Sequence, residues 1–251
     1  MKPMIALYAR EVKRFQKLWL DTLMNPIVSV GLYLLIFGVV GQGQVLESGI
    51  PFVAFVYAGL LANVVVNASF SNPGFALVIA KNLGTFVDLR LAPIPPLGVA
   101  FAYAFAAVTR SLITLVVALV VTAPFVAGLE MHHPLLLLAT LIASGLLFAL
   151  LGFSFGMRAK NFESLTFITT FVMQPLTLLS GVFYPVASLP GIWADVARFN
   201  PVHHVMNLVR YSIFGVAETP IVYSIALIAT LLVLVSVMAF VFARRGLRAD
   251  V

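Results

Sequence analysis

Hydrophobic positions in this chain fall in long blocks, at 27–40, 52–70, 97–129, 135–157, 165–183 and 221–243. A helix crossing a bilayer needs about 20 apolar residues, so each block predicts a transmembrane helix. The first is short, and the third has length to spare for tilt or protrusion. Ahead of the first block, Met4, Tyr8, Val12, Phe15 and Trp19 recur at spacings of three and four, with Arg10, Lys13, Arg14 and Lys17 on the other side. That pattern predicts an amphipathic helix over 4–20 lying in the membrane surface, with Asn25-Pro26 turning the chain into the bilayer. Between the fifth and sixth blocks the pattern breaks at Pro185, Pro190 and Pro201, which rule out one continuous helix. The segment is nevertheless rich in Val, Phe, Trp and Leu. We therefore expect 185–210 to be a broken hairpin that re-enters the outer bilayer margin, where irregular backbone persists only if protein or a water-filled cavity satisfies it.

Composition agrees with this pattern. Of 251 residues, 62% are hydrophobic and 10% charged, against about 25% charged in soluble domains. The expected fold is a single all-α polytopic membrane domain over 1–251. With no cysteine, disulfides and thiolate metal sites are excluded. A net charge of +6 would suggest nucleic acid in a soluble protein; here the cations report orientation, and no nucleic-acid partner is expected. Lys2, Arg10, Lys13, Arg14 and Lys17 precede the first block, Lys81, Arg90, Arg158 and Lys160 lie in two connections, and Arg244, Arg245 and Arg248 follow the last. All these segments share one side. Only Arg198 and Arg210 fall on the other, and Arg110 lies inside the third block. Both termini are thus expected in the cytoplasm and the broken hairpin outside. With Leu23 and Met24 extending it, the first block is also longer than the roughly 7–15-residue core of a cleavable signal, so it is expected to remain as an anchor.

Candidate chemistry is sparse. The stretch 73–96 places Leu83, Phe86, Val87, Leu89 and Leu91 on a short apolar face; Gly84-Thr85 can start a turn of helix and Pro93 ends it. At more than twenty residues it exceeds an ordinary connection, and it suits docking into a groove on a soluble partner. No phosphate-binding G-x-x-x-x-G-K-[ST] loop occurs, so energy must come from a separate ATPase or an ion gradient. The gradient reading needs acids or histidines inside the spans, whereas the acidic residues, from Glu11 to Asp250, and His132, His133, His203 and His204 all fall in flanking segments. The histidine pairs are expected to be ordinary interfacial residues, since nothing nearby completes a metal site. Arg110 has two readings: contact with an anionic substrate headgroup, or snorkelling to the cytoplasmic interface. Asn63 and Asn67, one turn apart, and Thr170, Gln174 and Thr177 in the fifth block could line a pathway or glue helices together.

The series Ser180-Gly181-Val182-Phe183-Tyr184-Pro185, Leu189-Pro190, Trp193, Asn200-Pro201 and Arg210 resembles the signature of type-2 ABC exporter permeases. The likeness extends over nearly the whole chain, through Asn25-Pro26, Tyr33 to Gly38, Leu83-Gly84-Thr85 to Pro93, and Arg158-Ala159-Lys160-Asn161-Phe162. The resemblance implies a coupling helix over 83–92, with Leu83, Gly84, Thr85, Phe86, Val87, Asp88, Leu89 and Arg90 seated on an ATPase, and a second contact at Arg158 and Lys160. It implies a homodimer carrying two ATPase copies in a bacterial inner membrane. ATP and Mg would be bound by those partners, with no cofactor on this chain.

The implied cargo is a hydrophobic small molecule, a lipid or a lipid-linked glycan. A glycan channel is often aromatic-lined, and Tyr33, Phe37, Phe167, Phe171 and Tyr184 could contribute. An ion-gradient carrier and a membrane-embedded lipid-modifying enzyme are the alternatives. The first is disfavoured by the missing intramembrane acids, the second because no His/Asp/Glu cluster converges near an interface.

Overall fold

The computed structural model describes residues 2–17, 19–122 and 131–248. Leu18, Glu130, Asp250 and the far end of the third block, with Pro124 and Leu129, lie outside the described residues. In chain order the helices are α1 (Lys2–Lys17), α2 (Trp19–Val40), α3 (Phe52–Asn82), α4 (Phe86–Leu91), α5 (Pro96–Thr122) and α6 (Pro134–Arg158). They continue with α7 (Phe162–Ile168), a π-helical turn (Thr169–Met173), α8 (Gln174–Leu178), α9 (Ile192–Arg198), α10 (Pro201–Phe214) and α11 (Ile221–Arg248). Among the described residues the only β pairing is an isolated bridge between Val45 and Pro51. Among the described residues, five helices (α2 from Leu23, α3, α5, α6 and α11) are long and apolar enough to cross a membrane.

The centre is α3, whose buried residues run from Ala54 to Val78 over most of its circumference, as expected of a helix that is apolar on most sides. It meets α6 backbone to backbone. A Cβ on Gly152 would sit 1.9 Å from the Phe70 carbonyl oxygen, and one on Gly156 2.8 Å from Gly74 Cα. This is small-residue helix packing of the kind used in membranes. At the end of this seam Lys81 donates from Nζ to the carbonyls of Gly156, Met157 and Ala159 at 2.8–2.9 Å, which satisfies part of the open C-terminal turn of α6.

Several sequence boundaries are corrected. The second block does not end at 70: α3 runs on through Pro73 to Asn82, because surrounding helices hold a membrane helix together where proline removes one bond. The long connection from 73 therefore shrinks to 83–95. Asn25-Pro26 is no turn either, as Pro26 lies inside α2. The N-terminal stripe is rotated: α1 buries Leu7, Glu11 and Phe15, while Trp19 opens α2 and is exposed. Glu11 enters the buried face because Arg10 and Arg14 pair with it at 3.2 and 2.8 Å. The last helix extends past 243 to Arg248. The fifth block is a broken helix from Phe162 to Leu178, not one uniform helix to 183. Pro175 has no amide proton to offer the turn before it, and the wider π turn sits immediately upstream, as at many π-bulges.

The stretch after α8 is tied down by side chains. Gly181 takes a positive φ of 82°, a conformation open to glycine, and its carbonyl accepts from Arg210 Nη2 at 2.6 Å. The same nitrogen reaches the Val182 carbonyl at 3.1 Å. Arg210 Nη1 pairs with Glu218 at 3.3 Å, and the guanidinium lies 3.5 Å from the Phe55 ring centroid. Glu218 also accepts from the Val186 amide at 2.8 Å. Asn200 caps α10 through Val202 and donates to the Leu176 carbonyl. His203 and His204 are buried, which corrects the interfacial reading. Their ring nitrogens meet the Ser180 carbonyl and Thr219 hydroxyl, and the Ser224 hydroxyl and Arg198 carbonyl, respectively. Burial pushes the His203 imidazole down to about 4, so it is neutral at pH 7.

Two outcomes follow from these packing arrangements. Gly152→Ala is expected to lower thermal stability in detergent sharply, whereas Gly31→Ala, with nothing within 4 Å of the added methyl, is neutral or slightly stabilising. Arg210→Ala strands Glu218 and two carbonyls, at a cost of about 3–5 kcal/mol. Arg210→Lys recovers only part, since an ammonium cannot reproduce the guanidinium fork; thermal unfolding of the three proteins side by side reads this directly.

Candidate functional site

Two features stand apart from the packed core. The first is a groove of about 450 Å³ between α2, α3, α5 and the α7–α8 segment. Helical spacing builds its floor: Asn63, Asn67 and Ser71 recur every fourth residue of α3 and so share one face. Asn67 donates to both the side chain and the carbonyl of Asn63. Asn25, Ser29 and Tyr33 of α2 form one wall, and Gln174, Thr177 and Leu178 of α8 the other. Arg110 of α5 closes one end, and Phe183 stands at the opposite end. There Phe183 joins Tyr33 and Phe37 in a ring cluster with centroids 5.0–6.4 Å apart.

The groove gathers Asn63, Asn67, Arg110, Gln174 and Thr177 from the sequence-predicted set. Thr170 is not among its lining residues and lies exposed, because the π turn resets the helical phase upstream of Gln174. Phe167 and Phe171 are also exposed, with centroids 4.7 Å apart. The Tyr184 hydroxyl donates to the Leu178 carbonyl at 2.7 Å. Arg110 faces the groove, and it lies at the level of α1, with its Nη1 2.9 Å from Asn72 Oδ1 and its guanidinium 5.5 Å from the Phe15 ring centroid. An arginine at a span centre costs roughly 2.5–3.5 kcal/mol, and these neighbours are the kind that reduce such a penalty.

The second feature is α4. Gly84, at a φ of 73°, ends α3 and redirects the chain, and Thr85 precedes the new helix. The five predicted apolar residues do not share a face. Phe86 and Leu89 are 7% and 4% exposed, whereas Leu83, Val87 and Leu91 are 72%, 53% and 76% exposed. Helical geometry explains the division within α4: Val87 and Leu91 lie one turn apart, with Phe86 and Leu89 on the opposite side, while Leu83 is exposed just before the turn at Gly84. Phe86 is an anchor, with Lys81 Nζ 5.7 Å and Arg90 Cζ 5.2 Å from its ring centroid. Asp88 and Arg90 are exposed beside the outward apolar pair.

Arg158 and Lys160 are exposed at this same end. The Ala159 carbonyl between them is held by Lys81, and the Arg158 guanidinium rests 5.1 Å from the Phe242 ring centroid. At the far end, Gly181, Pro201 and Arg210 sit within the hydrogen-bonded core of the hairpin. Pro185, Leu189 and Pro190 flank its short turns, and Trp193 is half exposed.

Sequence reasoning missed Glu218, counted only among the acids of the flanking segments, and Gly59, where a Cβ would meet the Val182 carbonyl at 2.8 Å. It also passed over the Gly152–Gly156 pair, although that four-residue glycine spacing in an apolar run was the available signal.

Residues 3–214 match the model of the ABC-2 type transporter family. The chain is 29% identical over 244 residues to the inner membrane transport permease YadH of Escherichia coli strain K12, covering 96% of this chain and 94% of that protein. It is 28% identical over 219 residues to nodulation protein J of Rhizobium leguminosarum bv. trifolii, covering 84% and 81%. The corresponding figure for nodulation protein J of Rhizobium meliloti strain 1021 is 26% over 215 residues. With its several membrane-length apolar helices, this chain is an integral membrane protein belonging to the ABC-2 type transporter family.

Proposed function

We propose that the chain is the permease subunit of an ATP-driven exporter in a bacterial inner membrane. It moves a hydrophobic small molecule, a lipid or a lipid-linked glycan outward. The observation that carries this reading is the exposed apolar pair Val87 and Leu91 on a short helix anchored from behind by Phe86 and Leu89, with exposed Leu83 just ahead of it. An exposed apolar pair on a rigid base is suited to seating in a partner's groove, and no ATP-binding loop exists in this sequence to drive transport from within. The partner is a separate ATPase, in two copies on a permease homodimer, and it holds ATP and Mg. Arg158 and Lys160 supply a second contact at the same end.

In this reading the segment 162–178 is the sixth crossing. Its 17 residues span roughly 25 Å at 1.5 Å per residue, close to the hydrocarbon thickness of about 30 Å. Both termini and α4 face the cytoplasm, as the Lys and Arg distribution favours, and the 185–210 hairpin dips into the outer margin. Closure of the ATPases pushes on α4, and α4 is continuous through Gly84 with α3, which floors the groove. Among the described residues no carboxylate lines the groove, which favours an external motor over proton coupling.

Two measurements test this. In a pull-down from mild detergent, wild-type permease is expected to retain an ATP-hydrolysing partner that Leu83→Arg and Leu91→Arg lose, with permease recovery unchanged; Phe86→Arg instead lowers the recovery of the permease itself. Intact wild-type protein with no ATPase partner would overturn the reading. For orientation, Trp193→Cys in this cysteine-free chain is expected to react with an impermeant maleimide on intact cells, and Leu91→Cys only after permeabilisation.

A further inference from the structure

Asn63, Asn67 and Ser71 form a polar ladder roughly 12 Å long on the floor of the groove, with Ser29 of α2 and Gln174 and Thr177 of α8 in its walls. Polar side chains that hold membrane helices together do so by hydrogen-bonding from one helix to the next. These six do not. Among the described residues, their only side-chain hydrogen bonds run from Asn67 to Asn63, one turn away on the same helix. Thr177 is 7% exposed, and its hydroxyl has no hydrogen-bond partner in the described structure. A buried hydroxyl left so is penalised unless something else satisfies it. Three helices thus aim unpaired amide and hydroxyl groups into one space. One end of that space is aromatic, with Phe183 stacked on Phe37 and tilted against Tyr33.

We propose that this groove binds an amphiphile with a polyhydroxylated, sugar-like head. Asparagine and glutamine side chains offer both donors and an acceptor, and serine and threonine hydroxyls also do both. Such a set is matched by a molecule whose own groups donate and accept, as neighbouring hydroxyls do; a polyether only accepts. The head lies along the ladder within reach of Thr177, and the apolar part lies against Tyr33 and Phe183. Ligand sites combine an apolar, aromatic wall with a few convergent polar groups in this way. The six neutral side chains carry this chemistry without Arg110, which bonds to Asn72. A site built to hydrogen-bond hydroxyls rejects an analogue lacking them, because its own polar groups are then left unpaired. This deepens the transport reading by choosing among its cargo classes, and rests on it only for the claim that the bound molecule is cargo.

The test uses the full-length chain in phosphatidylcholine nanodiscs, carrying Ala68→Cys at a lining position outside the ladder as the only thiol in the protein. Its rate of maleimide labelling is followed with octyl glucoside, with an octyl polyoxyethylene ether of the same alkyl chain, and with free glucose. Both detergents are kept below their micellar concentrations. The expected result is half-protection by octyl glucoside at a concentration about tenfold below that of the ether, with none from glucose in the same range. Asn67→Leu and Thr177→Val are expected to erase the preference, while Ser236→Ala, on α11 and outside the groove lining, leaves it intact. Equal protection by the two detergents overturns the proposal, as does a preference that survives both groove substitutions. Protection by glucose equal to that by octyl glucoside makes this a site for a free sugar and also overturns it. If a groove variant does not fold, the comparison of head groups in the Ala68→Cys chain still decides. No ATPase enters this assay, so its result separates from the pull-down: sugar-selective protection without an ATPase partner keeps the site and removes the transport reading, and the reverse outcome removes the site alone.

Discussion

The structure depends on the direct seating of α3 on α6. In an apolar medium there is no hydrophobic drive to press helices together, so close van der Waals contact between backbones must supply much of the attraction. Gly152 and Gly156 permit that contact against Phe70 and Gly74. Once α3 is fixed at the centre, α2, α5 and α10 pack around it, and its polar stripe becomes the floor of the groove. Lys81, at the end of the same seam, links α3 to the last carbonyls of α6 and sits over the Phe86 ring. The exposed side of α4 thereby rests on the helix that floors the groove.

At the other end the constraint is satisfaction of irregular backbone. The 176–200 stretch is repeatedly broken, and long side chains supply the missing partners: Arg210 for two carbonyls, Glu218 for an amide, Asn200 for a cap and a third carbonyl, and His203 for a fourth. Several buried polar side chains in one small region would be costly if any were left open. Together they make the turn at Gly181 rigid, and that turn holds Phe183 at the aromatic end of the groove.

Much of this was legible beforehand. Long apolar blocks at 52–70, 135–157 and 221–243 marked α3, α6 and α11, because a span must be apolar over its whole length and that length is fixed by the bilayer. Helix ends were read less well. Pro26 and Pro73 look like stops in sequence, yet both lie inside helices whose neighbours hold them. The Leu83–Leu91 stretch was recognised as apolar, but the division of its residues between anchor and exposed side depends on which side of α4 the rest of the protein occupies. Thr170 was drawn into the pathway set by its place in a threonine-rich run, and a single π turn moved it out.

By itself, the sequence determined that this is an integral membrane protein, which segments are apolar, how its cations are distributed, and that it lacks an ATP-binding loop. Each of these is a property of residues counted along the chain, and the bilayer reads them one segment at a time. Only the tertiary structure decided that Asn63, Asn67, Arg110, Gln174 and Thr177 share one groove, that Glu218 belongs to Arg210, and that His203 and His204 are buried. These residues come from different helices, and their meeting is set by the glycine seam, the π turn and the left-handed turn at Gly181, whose consequences are distances between segments rather than patterns within one.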